Sequence, residues 1–318
     1  MRQGCNTLAV VIEGPERLAL SRLPLAPPAD DELVVDVEWS GISTGTERLL
    51  WSGRMPPFPG MGYPLVPGYE SVGRVREIGR AVANRRVGER VFVPGARCFG
   101  EVRGLFGGAA SQLVVPAVRT TPIADTLGER AVLLALAATA HHALASSPQN
   151  LPELIIGHGV LGRLLARLTV ALSGTAPLVW EQNPERGHGA LGYEVSAAED
   201  DARRNYRAIY DVSGDARILD IALERLAPTG EIVLAGFYTE PMQFDFTRAF
   251  LREARIRVAA EWKDSDLQAV LSLIDQGRLS LDGLITHRYA AEAADQAYRQ
   301  AFGDPDCLKM ILDWRHAA

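Results

Sequence analysis

Apolar and polar positions follow two different rhythms along the chain. Up to about residue 120, short runs such as "DELVVDVEWSGI", "VGRVREIG" and "GERVFVPG" alternate in period two between glycines and prolines. This alternation is typical of strands with one buried face, and it predicts a β-rich, barrel-like unit. From about residue 125, the apolar runs "ELIIGHG", "APLVWEQN", "RAIYDVSG" and "GEIVLAGF" are separated by helical segments, which predicts a parallel sheet with crossover connections.

The end of the chain has a third pattern. "DLQAVLSLIDQGRL" and "AAEAADQAYRQAF" have the apolar spacing of helices, and "CLKMILDW" has the composition of a final strand. We therefore predict a β-rich domain at 1–124, a doubly wound α/β domain at 125–264, and a return to the first domain at 265–318.

Length, charge and cysteine content narrow the class of protein. The 318 residues leave room for two domains, and the net charge of −6 argues against a nucleic-acid surface, which needs clustered Lys and Arg. The three cysteines, Cys5, Cys98 and Cys307, lie far apart. They fit a reducing cytoplasm and exclude both a disulfide scaffold and a four-cysteine zinc lobe.

The sequence predicts neither a signal peptide nor a membrane span. The first apolar run is short and ends at Glu13 and Pro15. The uncharged stretch 131–151 contains His, Ser, Gln and Asn, so a buried helix and its exit explain it better than a span. We expect a soluble, cytoplasmic protein and leave peripheral membrane contact open.

The strongest local motif lies in "ELIIGHGVLGRLLARL", where Gly157, Gly159 and Gly162 form G-x-G-x-x-G after an apolar strand. In this motif the first glycine permits a tight turn, the second admits a pyrophosphate, and the third allows close helix packing. The unpaired N–H groups of a helix N-terminus would then face the anion. A glycine turn without a ligand is the alternative.

An acidic residue supports a dinucleotide site and indicates its type. Glu181 ends the next strand, 19 positions after Gly162. A carboxylate there accepts hydrogen bonds from the ribose hydroxyls and repels a 2′-phosphate, so we predict NAD. Arg186, close by, keeps NADP open as an alternative.

Two later segments fit the nicotinamide side of such a cofactor. "YDVSGD" and "VLAGFY" put small residues at strand ends, where a flat ring approaches the backbone, although plain tight turns explain them equally well. From these segments and the glycine motif we predict the following cofactor contacts: Gly157, His158, Gly159, Val160, Leu161, Gly162, Glu181, Asp211, Ser213 and Gly236.

The order of motifs resembles the medium-chain dehydrogenase/reductase superfamily over nearly the whole chain. The resemblance runs through "SGISTGTE", "PGYESVGRV", "VGERVFVPG", "AATAHHAL", "GHGVLG" and "APTGEIVLAGF". It implies a GroES-like barrel catalytic domain made from both chain ends, with a Rossmann domain of doubly wound parallel sheet between them. It also implies that Thr139 lies near the nicotinamide, although a plain buried threonine is equally consistent.

The positions that bind zinc in zinc-dependent members of this superfamily hold other residues here. The resemblance assigns them to Ser43, Tyr69 and a residue near Ala135, none of which is a zinc ligand in this setting. Glu70 persists, but one carboxylate does not make a site. We therefore predict a protein that holds no metal.

A narrower resemblance concerns "VWEQNPERG", "GHGVLGRLLAR", "YDVSGD" and "IRVAAEW". These segments resemble the bacteriochlorophyllide dehydrogenase branch of bacteriochlorophyll biosynthesis. The branch implies a tetrapyrrole substrate, whose 3-(1-hydroxyethyl) side chain is oxidised to 3-acetyl with NAD as hydride acceptor. Two alternatives stay open: a zinc-free quinone or enoyl reductase, which usually prefers NADPH, and a non-enzymatic nucleotide-binding module.

Without zinc, an oxidised alcohol still needs a proton acceptor and orientation. A conjugated macrocycle can delocalise the charge that develops as hydride leaves, which lowers part of the barrier. We predict a proton path among Ser43, Thr46, Tyr69, Glu70 and His142. Tyr69 could instead only fill the volume of a metal. His141 and His142 point about 100° apart on a helix, so at most one of them is expected to face the site.

A proline-rich loop and a late strand supply the predicted surfaces. In "LLWSGRMPPFPGMGY", Trp51, Phe58 and Tyr63 could form a wall for a large flat ligand, or simply tie down a surface loop. "IRVAAEW" could pair as an edge strand in a homodimer, as the resemblance implies.

Overall fold

The computed structural model describes residues 5–57 and 59–317, which form two compact units. The first unit runs to Leu134 and resumes at Leu284, and the second covers 135–283. The division differs from our predicted segments at two places. The stretch 125–134 belongs to the first unit, and 265–283 belongs to the second rather than to the C-terminal return.

The helices and strands follow the predicted sequence of patterns. In chain order they are β1 Cys5–Gly14, β2 Arg17–Leu25, β3 Glu32–Ile42, α1 Thr46–Ser52, β4 Leu65–Val66, β5 Ser71–Ile78, β6 Arg90–Val93, β7 Arg103–Gly104, β8 Gln112–Pro116, β9 Thr121–Pro122, α2 Leu134–Ala145, β10 Leu154–Ile156, α3 Val160–Ser173, β11 Leu178–Trp180, β12 Glu194–Ser196, β13 Tyr206–Asp211, α4 Ile218–Arg225, β14 Leu226–Leu234, α5 Phe246–Leu251, β15 Arg255–Val258, α6 Asp264–Asp275, β16 His287–Ala290, α7 Ala294–Gly303 and β17 Met310–Asp313. Short 3₁₀ turns lie at Ala117–Arg119, Asp125–Leu133, Pro184–Gly187 and Ala291–Ala293.

The first unit is built from two sheets. Seven strands form one sheet in the order β16-β17-β3-β5-β6-β9, with β8 paired to β3, and four form another in the order β2-β1-β4-β7. The final strand β17 lies antiparallel to β3, with Met310 opposite Ile42. The predicted β-rich unit is therefore confirmed, and the returning chain supplies one edge of the larger sheet.

Alternation along β3 explains how this unit buries its core. Leu33, Val35 and Val37 are buried on one face, and Ile42 closes the strand. Small and β-branched side chains pack well on a pleated surface, which suits the valine-rich composition of these strands. The same cluster includes Tyr298 of α7, so the returning chain contributes to the core as well as to the sheet.

The second unit contains six parallel strands in the order β12-β11-β10-β13-β14-β15. This is the 3-2-1-4-5-6 order of a doubly wound dinucleotide fold, whose direction reverses between β10 and β13. Ile156 and Asp211 lie side by side where these two strands end. The predicted Rossmann sheet is therefore confirmed, and ligands bind outside the strand ends at such a switch point.

Polar contacts explain why α6 belongs to the second unit. Asp266, near the start of α6, binds two side chains of α2, His141 and His142. After α6, the main-chain carbonyls of Ser280 and Asp282 accept hydrogen bonds from Arg167 of α3. In the part of the chain described, no helix is both long and apolar enough to cross a membrane.

Candidate active site

The glycine turn after β10 has the geometry that a pyrophosphate site needs. Gly157 has φ of +104°, which L side chains rarely adopt. A methyl group built at Gly162 would lie 1.9 Å from the Gly157 carbonyl oxygen, whereas one built at Gly159 meets nothing within 4 Å. Gly162 therefore serves packing, and Gly159 leaves space beside the N-terminus of α3, where Val160 and Leu161 begin the helix. This turn fits a dinucleotide.

Main-chain hydrogen bonds orient Glu181 at the end of β11. One carboxylate oxygen accepts from the His158 N–H at 3.1 Å, and the other accepts from the Asn183 N–H at 2.8 Å. An ionised carboxylate offers about four lone-pair sites, so each oxygen can accept a further hydrogen bond. The acid is thus tied to the glycine turn and retains acceptor capacity for a ribose diol.

The His158 side chain joins that turn to the loop after β11. It is fully buried, with Nδ1 2.6 Å from the Arg186 carbonyl and Nε2 2.8 Å from the Tyr193 hydroxyl. Burial lowers the pKa of His158 to about 4, so the ring is neutral at physiological pH. Nδ1 therefore donates to the carbonyl and Nε2 accepts from Tyr193. The ring acts as a structural bridge, and a cofactor contact through this residue stays a prediction.

The turn after β13 and the end of β14 are tied together by Asp211. This buried carboxylate accepts hydrogen bonds from the Ser213 N–H at 3.1 Å and from the Tyr238 hydroxyl. The Asp211 carbonyl accepts from the Gly236 N–H at 3.1 Å. Burial raises the pKa of Asp211. Its side chain thus braces the two strand ends, and the cofactor contacts predicted for this region stay predictions.

We expected the side chains of His141 and His142 on α2 to point apart, but both contact the same carboxylate. His141 Nδ1 and His142 Nδ1 lie 2.8 and 2.9 Å from the two carboxylate oxygens of Asp266. Although burial raises the pKa of Asp266, its hydrogen bonds hold it below the ordinary value. One carboxylate from a second helix can bridge neighbouring positions, which helical spacing does not reveal. Thr139, on the same helix, donates to its own Ala135 carbonyl at 2.9 Å.

In the first unit, two of the positions that the resemblance assigns to zinc hold hydroxyls bonded to each other. The Tyr69 hydroxyl donates to Ser43 Oγ at 2.9 Å, and the Tyr69 ring meets Phe106 edge-on at 5.6 Å. Ser43 Oγ also accepts from the Thr46 N–H at 3.2 Å. Burial, reinforced by Glu70, raises the pKa of Tyr69 above its ordinary value. Tyr69 is therefore a neutral phenol at physiological pH and a hydrogen-bond donor, not a phenolate base.

The third position assigned to zinc, Ala135, is fully buried in α2 and carries no ligating atom. Throughout residues 5–57 and 59–317, no three His, Cys, Asp or Glu side chains are grouped to hold a metal ion. The donor atoms at these positions therefore do not fit a zinc site.

Glu70 is half of a buried ion pair. Lys309 Nζ lies 2.9 and 2.7 Å from its two oxygens, and both side chains are almost completely buried. A methyl group built at Gly41 would lie 2.0 Å from Glu70, so a glycine is needed on β3 for this carboxylate to fit. Lys309, just before β17, brings the chain's return to the site. Both oxygens of Glu70 bind Lys309. A part for Glu70 in proton transfer stays a prediction.

Our sequence reasoning missed Glu47 and Tyr298. Glu47 is fully buried, and its carboxylate accepts from the Ser43 N–H at 3.1 Å and from the Tyr298 hydroxyl. Burial raises the pKa of Glu47 to about 7. Two signals could have revealed this cluster: Glu47 closes the motif "SGISTGTE", and Lys309 interrupts the apolar run of "CLKMILDW".

The predicted substrate wall is partly accounted for by packing. The Trp51 ring lies 5.5 Å from that of Phe302, and the Tyr63 hydroxyl donates to the Leu50 carbonyl. Both aromatic side chains pack against a small apolar core. This agrees with the alternative in which aromatics tie down the loop. Phe58 lies outside the described residues, and the substrate contacts stay predictions.

Known proteins that are similar to this chain indicate its family and share its fold. Residues 29–125 match the family described as alcohol dehydrogenase GroES-like domain. Two proteins named 2-desacetyl-2-hydroxyethyl bacteriochlorophyllide A dehydrogenase are similar over almost their whole lengths. The protein of Rhodobacter capsulatus is 55% identical, with 98% of this chain and 99% of that protein covered. The protein of Cereibacter sphaeroides is 56% identical, with 98% and 100% covered.

The chain belongs to this family of bacteriochlorophyllide dehydrogenases. Solved structures extend the likeness of the fold. L-idonate 5-dehydrogenase of Escherichia coli superposes with a TM-score of 0.86 at 17% identity, with 98% of this chain and 99% of that one covered. An E. coli alcohol dehydrogenase complexed with NADH has a TM-score of 0.83 at 23% identity, with 98% and 100% covered. At these identities the likeness concerns the fold alone.

The ion pair gives a first testable prediction. Glu70→Gln leaves the Lys309 ammonium buried and unpaired, so we expect the free energy of unfolding to fall by roughly 3–5 kcal/mol. Urea denaturation measures it. In the double variant Glu70→Gln/Lys309→Met the uncompensated charge is gone, and we expect most of the loss to be recovered. As a control, Asp295→Asn disrupts an exposed pair with Arg299 and should change little. A double variant no more stable than Glu70→Gln would contradict the interpretation.

Proposed function

We propose that the protein catalyses the NAD-dependent oxidation of the 3-(1-hydroxyethyl) side chain of a bacteriochlorophyllide to 3-acetyl. The observation that carries this proposal is the identity of 55–56% over nearly the full chain to two proteins named for that hydroxyethyl pigment. The reaction removes a hydride from the alcohol carbon and a proton from its hydroxyl. The chain therefore needs a dinucleotide site and a path for a proton.

The second unit has the residues to hold NAD. The open space at Gly159 and the start of α3 suit a pyrophosphate, and Glu181 suits the adenosine ribose. A 2′-phosphate would be placed against the Glu181 carboxylate, which supports NAD over NADP. When bound, the nicotinamide accepts the hydride.

Zinc-free chemistry is supported by the Ser43–Tyr69 pair. A zinc ion would acidify the alcohol and stabilise an alkoxide. Here a neutral phenol, oriented by Ser43 and by the Phe106 ring, is available to hold the substrate hydroxyl and pass its proton onward. The conjugated macrocycle stabilises the forming carbonyl and so lowers part of the barrier that a zinc ion would otherwise lower.

Variants of the glycine turn can separate an effect on folding stability from an effect on cofactor binding. Gly159→Ala adds a methyl group in open space, so we expect unchanged thermal stability but weaker NAD binding, by roughly tenfold or more, because the pyrophosphate loses its approach. Gly162→Ala collides with the Gly157 carbonyl, so we expect it to lower the melting temperature as well. Calorimetric titration and thermal melting measure the two effects. Gly303→Ala, also in open space but in the first unit, is the control. Undiminished NAD binding by Gly159→Ala would exclude this turn as the pyrophosphate site.

The activity itself is tested with the hydroxyethyl pigment. We expect the purified protein with NAD to form the acetyl product, seen as a red-shifted absorption band, and NADP to be a poor substitute. Glu181→Gln removes the repulsion, so it should narrow the difference between the KM values for NAD and NADP. Tyr69→Phe should lower kcat by roughly 10²-fold, as expected when a proton-transfer group is removed. Turnover of quinones or enones with NADPH, and none of the pigment with NAD, would reject the proposal.

We propose further that the protein is a homodimer paired through β15. This edge strand of the six-stranded sheet leaves Val258 72% exposed, and Phe246 and Phe250 of α5 are 71% and 67% exposed. Exposed edges invite pairing with another chain. Val258→Lys should then convert the dimer to a monomer in sedimentation velocity, while Val118→Lys, at an exposed site on the first unit, should not. A wild-type monomer that cosediments with lipid vesicles would instead support peripheral membrane contact by the same side chains.

A further inference from the structure

Glu47 is a buried acid that the scheme above does not use. It lies in the first turn of α1 with no exposed surface, and no Lys or Arg donates to it in the described hydrogen bonds. The nearest ammonium, Lys309, binds both oxygens of Glu70 and the Ile42 carbonyl instead. An acid without a bonded cation is costly to bury, so its retention calls for a reason.

Helix capping explains one of its contacts. Ser43 Oγ accepts from the Thr46 N–H, and Glu47 returns to accept from the Ser43 N–H, as in a variant of the capping box. Capping acids are effective on the surface, however, and do not require burial. The hydroxyl of Tyr298, from α7, also donates to Glu47 and seals it from solvent. Capping therefore leaves this burial unexplained.

Groups from several segments of the first unit act on the ionisation of Glu47. The titratable and charged ones are Tyr69, Glu70, Tyr298 and Lys309. Burial raises the pKa of Glu47 to about 7, the hydrogen bonds from Tyr298 and Ser43 lower it, Glu70 raises it, and Lys309 lowers it. Glu70 is neutralised by Lys309, and burial holds the Tyr69 and Tyr298 hydroxyls protonated. Burial raises the pKa of Glu70 as well, against the opposing effect of Lys309, but Glu47 is the acid that is hydrogen-bonded to Ser43.

Glu47 is also connected to the hydroxyl pair. Ser43 Oγ accepts from the Tyr69 hydroxyl and from the Thr46 N–H, and neither bond uses the hydrogen of Ser43 itself. The main-chain N–H of the same serine already points to Glu47 at 3.1 Å. Ser43 is thus hydrogen-bonded to Tyr69 through its hydroxyl and to Glu47 through its main chain, so the three residues form one connected cluster.

We propose that Glu47 is the positioning residue behind the Ser43–Tyr69 pair and takes up the proton that the substrate alcohol loses. The inference rests on the proposed function. The alcohol proton moves to the Tyr69 oxygen, the Tyr69 proton to Ser43 Oγ, and the Ser43 proton to the ionised Glu47 carboxylate. The hydride leaves for the bound nicotinamide, and the alcohol becomes a ketone. Tyr69 and Ser43 end as neutral as they began, and Glu47 later returns its proton to solvent.

The test uses three variants and the pH dependence of kcat/KM for pigment oxidation. Glu47→Gln keeps the shape and an acceptor for Ser43 but cannot take up a proton. Tyr298→Phe removes one hydrogen bond that lowers the pKa of Glu47. Glu292→Gln removes an exposed carboxylate of the same unit and is the control.

We expect wild-type kcat/KM to rise with pH through neutrality, because Glu47 must be ionised to accept a proton. In Tyr298→Phe the rise should move to higher pH. In Glu47→Gln it should be absent, with kcat/KM at pH 8 lowered by roughly 10²-fold. Glu292→Gln should match the wild type. A rise that persists unchanged in Glu47→Gln would overturn the proposal, as would full activity of that variant.

A measurement without substrate separates this inference from the proposed function. Carboxyl ¹³C NMR of the whole protein should contain one Glu signal titrating near neutral pH, absent in Glu47→Gln and moved upward in Tyr298→Phe. The raised pKa of Glu47 stabilises the folded state at pH values below the pKa that Glu47 has in the unfolded chain. This stabilisation is lost as the pH rises through about 7. Glu47→Gln should therefore gain stability relative to wild type between pH 5 and pH 8.

If the titrating signal is present but no pigment is oxidised with NAD, the proposed function is wrong while the ionisation of Glu47 stands. If pigment is oxidised but Glu47 does not titrate between pH 5 and pH 9, the inference is wrong while the function stands.

Discussion

The electrostatics of the site in the first unit depend on one buried ion pair, Glu70 with Lys309. The pair joins the segment before β5 to the segment before β17, which are far apart in the chain, and Gly41 leaves the space it occupies. An unpaired charge in this position is strongly unfavourable, so the two residues must be kept or replaced together where the returning chain pairs with β3. It also gives the neighbouring site its electrostatics, since Lys309 neutralises Glu70 and leaves Glu47 without a bonded cation.

That electrostatic arrangement bears on the proposed alcohol site, in which hydroxyls lie where the resemblance places metal ligands. A zinc ion supplies positive charge directly to the substrate oxygen. Ser43 and Tyr69 supply instead a short chain of hydrogen bonds that ends near a carboxylate with a pKa of about 7. Such an arrangement suits a substrate that shares in stabilising its own carbonyl.

Much of the fold followed from local patterns. The change from period two to alternating strands and helices correctly divided the chain into a β-rich unit and a Rossmann sheet. Two of the three glycines have the backbone roles assigned to them, since Gly157 has positive φ and Gly162 has no room for a methyl group. The pyrophosphate contact at Gly159 stays a prediction. The convergence of His141 and His142 on Asp266 could not be predicted, because it depends on which helix packs across α2. For the same reason α6 was assigned to the C-terminal return, whereas it belongs to the second unit.

The sequence by itself determined the elements, the glycine turn, the acid at the end of β11 and the absence of zinc ligands at the expected positions. These features depend on residue type and on short spacings along the chain, and both can be read from the sequence. Only the tertiary structure showed that Tyr69 bonds to Ser43, that Lys309 neutralises Glu70, and that Tyr298 encloses Glu47. Each of these contacts joins residues distant in the chain, and the ionisation of a buried group is set by such neighbours rather than by its own identity.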